Sequence, residues 1–325
     1  MFKLKTKTFE NLFLTSSYNQ LKKSLIFCEK NNLTNNAFIF FGRKGNLDHF
    51  RTFKQENNKL KLIYIPLSFK PNRIRTLKYI YFMIIFKLIN KIIASKKIFF
   101  FNCMGYNNIF AKIYKNQCEM NLIEDGLVNY KFFKKNYTKN KLFNSLFNNE
   151  LKFKNYYCTH PNYAKKYIKS ENYILFIPYL PLKNKNLTSL DMPNHNDAIF
   201  LNQNYNIDIE AIISIISSFH DVEKIYLKLH PNNTIEHTIE IEKKIKDKNI
   251  IILKNKYISA EDIIQISKPK YVISLNSTSL ILSKMISQNT IPISITPTYI
   301  KLTGINNQII EDYNILKQFD FILFK

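Results

Sequence analysis

Short apolar runs alternate with amphipathic stretches along most of this chain. In the first half the runs are NLFLTSS (11–17), AFIFFG (37–42), KLIYIP (61–66), KIFFFNC (97–103), MNLIED (120–125) and NYYCTH (155–160). Helix-like stretches lie between them near 18–29, 73–95 and 107–115. Parallel strands need a crossover that covers both faces of the sheet, so continuous apolar strands separated by helices predict a parallel sheet. The segment YLPLKNKNLTSLDMPNHN (179–196) breaks the alternation, since Pro181 and Pro193 with Asn, Ser and Asp between them read as a linker. The pattern then restarts with AIFLNQ (198–203), KIYLKLHP (224–231), NIIILK (249–254), YVISLNS (271–277) and TIPISI (290–295). Helices are predicted near 207–219, 234–247, 259–267 and 278–288. The expected class is α/β, with two Rossmann-like doubly wound parallel sheets: a domain over 1–180, a linker over 181–196 and a second domain over 197–325. A last amphipathic segment, NNQIIEDYNILKQF (306–319), is followed only by the short FILF. By analogy with two-Rossmann folds, such a tail crosses back to the first domain.

Composition adds a bias in charge. The 325 residues are 46% hydrophobic, enough for two cores, and 48 Lys and Arg against 24 Asp and Glu leave a net charge of +24. A basic surface attracts anionic partners: nucleic acid, acidic lipid, anionic glycans or sugar nucleotides. No C2H2 spacing, RNP-like aromatic motif or Arg-rich tail accompanies the charge, so nucleic acid is not the expected partner. Cys28, Cys103, Cys118 and Cys158 form no CxxC pair and read as reduced thiols. The N-terminal MFKLKTKTFENLFLTSS lacks the apolar core of a signal peptide. The most apolar stretch, Tyr79 to Phe101, is broken by Lys87, Lys91, Lys96 and Lys97, leaving runs far below the ~20 residues that span a bilayer. A cytoplasmic protein is expected, with peripheral contact to the anionic inner-membrane surface through these Lys-rich amphipathic stretches.

Ligands of open parallel sheets bind beyond the carboxyl ends of the strands, so polar residues there are the candidates. In IEDGLVNY, Glu124 and Asp125 close a strand before Gly126. A carboxylate there can take a proton from an acceptor hydroxyl, or simply end the strand in a solvated turn. In KIYLKLHPNN, His230 sits where a buried strand stops, Pro231 fixes the turn, and Lys228 lies on the same strand face. An imidazole so placed can donate to a phosphate and protonate it as it leaves. His160–Pro161 shows that an isolated HP pair is common. In YVISLNSTSLILSKM, Ser277, Thr278 and Ser279 bring hydroxyls and free amides to a helix N-terminus, which serves either as a phosphate site or as a plain N-cap. Glu261 opens the helix after strand 249–254, in reach of ribose hydroxyls or favouring the helix dipole. Asn202, Gln203, Asn204 and Asp208 follow the first strand of the second domain, and Asp208 is either an alternative base or a helix-start acid. No DxD motif and no His/Cys cluster with ligand spacing is present. Metal-independent chemistry without a cofactor is therefore expected, with Lys and hydroxyl groups neutralising the donor phosphate.

Taken in order, EDG, K-x-HP, Glu261 about thirty residues on, and Ser-Thr near +47 from the His resemble the bacterial GT-B sialyltransferases over residues 11–295. The pattern is most similar to glycosyltransferase family 52, the lipooligosaccharide sialyltransferases, with the capsule polysialyltransferases as relatives. The resemblance implies a GT-B fold with two Rossmann-like domains facing a cleft, and an inverting transfer of sialic acid from CMP-sialic acid to a galactose-terminated glycan of lipooligosaccharide or capsule. It gives His230 the CMP phosphate and the role of general acid, Ser277 and Thr278 the same phosphate, and Glu261 the ribose. Lys228, Pro231, Asn202, Gln203 and Asn204 would line the donor side. Asp125 or Asp208 would deprotonate the acceptor, and a homodimer is compatible with the pattern. CDP-glycerol-dependent phosphotransferases resemble the second domain as well, and a basic nucleic-acid- or membrane-binding protein is the alternative outside enzymes.

Overall fold

The structure, a computed structural model, describes all residues except 1–6, 43–46, 67–74, 103–105, 115, 133–151, 167, 180–191, 204–206, 231–232, 247, 254–257 and 305–306. The chain forms two compact units, Met1–Tyr179 and Leu180–Lys325.

The first unit is a parallel sheet of strands β1 (Lys7–Thr15), β2 (Asn36–Gly42), β3 (Lys61–Pro66), β4 (Ile93–Phe100), β5 (Glu119–Ile123), β6 (Phe153–Cys158) and β7 (Ser170–Leu175). Their order is β3-β2-β1-β4-β5-β6-β7, so the winding reverses between β1 and β4. The helices are α1 (Tyr18–Lys30), α2 (Leu47–Glu56), α3 (Arg75–Ile92), α4 (Tyr106–Tyr114), α5 (Leu127–Phe132) and the short α6 (Pro161–Ala164). The core is built from aromatic rings. Phe13 on β1 stacks on Phe38 at 5.2 Å and Phe99 at 4.6 Å, and Phe27 of α1 closes on Phe99 at 5.1 Å. Such pairs add roughly 0.5–1.5 kcal/mol each beyond the area they bury.

The second unit repeats the architecture with aliphatic packing. Its strands are β8 (Ala198–Leu201), β9 (Ile225–Lys228), β10 (Ile250–Ile252), β11 (Tyr271–Ser274), β12 (Ile291–Ser294) and β13 (Leu323–Phe324), in the order β10-β9-β8-β11-β12-β13. The described pairings in both sheets are parallel. The helices are α7 (Ile209–Ser217), α8 (Ile235–Ile245), α9 (Ala260–Ser267), α10 (Thr278–Ile286), α11 (Thr296–Thr303) and α12 (Asn307–Leu316). Ile212, Ile216, Leu227, Ile241, Ile273 and Ile293 are fully buried in its core. The C-terminal tail departs from the expected crossing. Ile309 of α12 lies in the core of this second unit, Asn276 Nδ2 donates to the Ile309 carbonyl at 2.8 Å, and β13 pairs with β12. A buried apolar face and a strand partner are both supplied here, so the tail stays with its own domain.

Among the described cysteines, Cys28 and Cys158 are buried, Cys118 is half-buried, and all are free thiols. Burial pushes the Cys28 thiol up to about 12. Cys103 lies outside the described residues. No described helix is long and apolar enough to cross a membrane.

Candidate active site

In the second unit the winding reverses between β8 and β11, and the candidate residues gather at the carboxyl ends of the strands around that point. Asn202 follows β8 and is buried, and its N–H donates to the Lys228 carbonyl at 2.9 Å. Gln203 accepts the Asn276 N–H on Oε1 at 2.8 Å, which fixes the mouth of β8 to that of β11. Lys228 is the last residue of β9 and only 7% exposed. Burial holds its ammonium below the usual lysine range, and the Glu261 carboxylate partly offsets that. His230 stands two residues on, half-buried, with burial first and the Lys228 charge second pulling its imidazole below 6.5. In the free protein at neutral pH it is therefore a neutral ring.

Two helix N-termini converge on the same edge. Ser277 caps α10, its side chain accepting the Ser279 N–H, and Thr278 is the first helical residue. Ser259 caps α9 by accepting the Asp262 N–H at 3.0 Å, which places Glu261 in the first turn. Ser279 Oγ donates to Glu261 Oε1 at 2.8 Å and straps the two helix starts together. Lys228, His230, Glu261 and the Ser277–Ser279 turn are thus one constellation of two cationic or polar side chains, a carboxylate and the hydroxyls at a helix start, a group suited to an anionic, hydroxyl-bearing ligand. Beside it a cavity of about 520 Å³ opens, lined by His230, Asn233 and Thr234, by the isoleucines of β10, and by a mixed face of α8 that includes Thr238 and Glu242. That volume lies within the range of small-molecule sites. The Asn233 Nδ2 is buried there without a hydrogen-bond partner among the described residues. Pro231 and Asn204 lie outside the described residues.

Asp208 opens a third helix of this unit. It is the N-cap of α7, and its Oδ1 accepts the N–H groups of Glu210 at 2.9 Å and Ala211 at 3.1 Å. Its own N–H donates to Tyr299 Oη at 2.8 Å.

In the first unit Glu124 and Asp125 follow β5 and have separate roles. Glu124 is buried and held by Tyr130 Oη at 2.9 Å, the Thr159 N–H at 2.7 Å and Thr159 Oγ1 at 3.0 Å. It ties the end of β5 to the end of β6 and to α5. Asp125 is less enclosed and points its carboxylate at α1, where Gln20 Nε2 donates to Oδ2 at 2.7 Å. Lys23 Nζ donates to the Asp125 carbonyl at 3.0 Å. Burial raises the Asp125 carboxyl above its usual range, against the pull of Lys23 and the Gln20 hydrogen bond. Gly126 turns the chain at φ 133°, a conformation that a side chain would strain. The sequence pointed to Asp125 but not to Gln20 or Lys23, which come from an amphipathic helix of ordinary appearance.

Solved structures share the fold across most of their length. Arabidopsis thaliana UGT89C1 complexed with UDP-L-rhamnose is 6% identical, with 98% of this chain and 85% of that one covered at a TM-score of 0.59. The UDP-GlcNAc 2-epimerase from Neisseria meningitidis bound to UDP-GlcNAc is 11% identical, with 96% and 92% covered at a TM-score of 0.57. These likenesses place the chain in the GT-B fold, two parallel-sheet α/β domains. No curated protein matches the chain. The family described as Alpha-2,8-polysialyltransferase matches residues 11–295, from β1 through β12 and across both sets of site residues, and the chain belongs to that family.

Proposed function

We propose that this glycosyltransferase moves sialic acid from CMP-sialic acid onto a cell-surface glycan, without a metal and with inversion at the anomeric carbon. The observation that carries the reading is the cluster of Lys228, His230, Glu261 and the Ser277–Ser279 helix start at the carboxyl edge of the second sheet. In this reading the phosphate of CMP lies against the α10 N-terminus, where backbone N–H groups and the Ser277 and Thr278 hydroxyls supply donors. Lys228 balances its charge, and Glu261, steadied by Ser279, accepts from the ribose hydroxyls. His230 becomes protonated as the phosphate approaches and hands that proton to the leaving CMP. An Asp takes the proton of the attacking hydroxyl on the opposite face of the sugar. Asp125 suits that task better than Asp208, because burial has raised its carboxyl while Asp208 Oδ1 serves as a helix cap.

The acceptor in this reading is a terminal galactose, and the family's name adds a terminal sialic acid as the hydroxyl for chain growth. Thermal denaturation with CMP, CDP, UDP and GDP tests the donor. CMP should raise Tm most, by the equivalent of about 2.7 kcal/mol at ~100 Kd, with EDTA making no difference. A preference for UDP, or loss of the effect in EDTA, removes the donor assignment. Incubation of CMP-sialic acid with galactose-terminated and sialic acid-terminated glycans then separates the acceptors by product mass.

A further inference from the structure

The outward face of α3 is an apolar ridge with lysines along one side. Phe82 and Phe86 face inward, where Phe86 meets Phe41 at 5.5 Å and Phe110 at 5.1 Å. The residues between them are apolar too. Tyr81, Ile84, Leu88 and Ile92 are exposed, Ile84 at 55% and Leu88 at 53%. At 100° per residue these positions fall within a narrow arc, and at 1.5 Å per residue the ridge from Tyr81 to Ile92 is about 16 Å long. Lys87 and Lys91 are exposed along one border of that arc. The α3 sequence, RTLKYIYFMIIFKLINKI, contains no acidic residue. A helix buried only on its inward face has no folding reason to carry aliphatic side chains on the outer one.

We propose that this face of α3 lies in the interface of an anionic lipid bilayer, with the ridge among the acyl chains and Lys87 and Lys91 at the headgroups. Charge selects that occupant. The face of a second copy would bring lysines against lysines in a chain of net charge +24, whereas an anionic headgroup layer complements them. α3 cannot cross the membrane, so its amphipathic face places it parallel to the surface. The inference is independent of the donor that the second unit accepts.

Flotation of the full chain with vesicles provides the test. The protein should float with vesicles of phosphatidylcholine and phosphatidylglycerol in equal parts, not with phosphatidylcholine alone, and high salt should reverse it. K87Q/K91Q should weaken binding about 25-fold, at roughly fivefold per lysine. I84S/L88S should abolish it while leaving the thermal melt unchanged, since both side chains are exposed. Wild-type protein that stays unbound, or an I84S/L88S variant that floats like wild type, overturns the proposal. So does wild type that runs as a dimer in solution and is made monomeric by I84S/L88S, because the ridge would then be a contact between copies.

Discussion

His230 is neutral in the free protein because burial and Lys228 both disfavour its cation. Protonating this ring costs stability, so its contribution is full well above 6.5 and is lost as pH falls through that value toward the lower folded pKa. With the CMP phosphate against His230, as proposed, the preference would reverse and ligand binding would take up a proton. CMP affinity should rise between pH 7 and pH 6 by more than the phosphate's own ionisation allows, and H230Q should remove that excess in calorimetry run in two buffers. An unchanged pH dependence in H230Q would place the imidazole away from the phosphate. H230A should lower turnover roughly 10²–10⁴-fold and weaken CMP by about 1.5–3 kcal/mol. On the acceptor side, D125N should abolish transfer and leave CMP affinity unchanged, while D208N should change both transfer and stability little, because an Asn oxygen caps the helix about as well as an Asp oxygen. Gln20 belongs with Asp125. Its Oε1 accepts from the Ser16 N–H at 2.7 Å and from Ser16 Oγ at 3.1 Å, which turns the amide nitrogen toward Asp125 Oδ2. Removing that donor in Q20L takes away a bond to the ionised carboxylate, so the acidic limb of the rate profile should move to higher pH with CMP binding intact. A limb that stays in place while D125N is inactive leaves Gln20 a purely structural role.

At the level of elements, the strap between α9 and α10 makes a sharper claim than any single side chain. Ser279 Oγ and Glu261 Oε1 act as a unit, so S279A and E261Q should each weaken CMP about tenfold, and the double variant should lose little more. Additive losses would show that the two residues act independently. The Glu124 network works on stability instead. Burial outweighs its hydrogen bonds and raises its carboxyl above 4.5, so the folded state holds the proton more tightly. Its contribution is therefore greatest below 4.5 and declines as pH rises through the folded value. E124Q should flatten that decline in thermal melts, and E124A should destabilise by about 1–3 kcal/mol by leaving the buried Thr159 N–H without its acceptor. These links explain what the sequence reveals and what it hides. Strands buried on both faces, such as β2 and β11, are continuous apolar runs and could be read directly. The edge strand β7 was missed because most of its side chains are exposed and Glu171 and Asn172 break the run. α2 escaped because few of its side chains reach the core, and α11 because Pro297 looks like a breaker, although proline is tolerated in a first turn. Positions at strand ends marked His230, Lys228 and Ser277 as candidates. The partners that hold site residues lie 18 positions apart for Ser279 and Glu261 and 105 apart for Gln20 and Asp125, so only the folded chain brings them together.

For the whole molecule, the charge of +24 acts over distances that local contacts do not. At physiological ionic strength the field of exposed lysines decays over about 8 Å, so it steers large anions diffusing near the surface far more than it holds a small ligand already seated among buried groups. A glycan ending in several sialic acids is such an anion. A neutral galactose-terminated glycan is not. Raising salt from ~0.05 to ~0.3 M shortens the screening length by more than half. KM for a sialylated acceptor should therefore climb steeply with salt. KM for a neutral acceptor and Kd for CMP should change little, because Lys228 is buried and helix-end amides are fixed in place. Steady-state rates with both acceptors at several salt concentrations, at saturating donor, read the difference directly. Equal salt sensitivity for both acceptors would assign the basic surface to something other than acceptor capture, with the lysines of α3 as the first place to look. A steep salt dependence confined to CMP would instead mean that the donor site is open to solvent, contrary to the burial of Lys228.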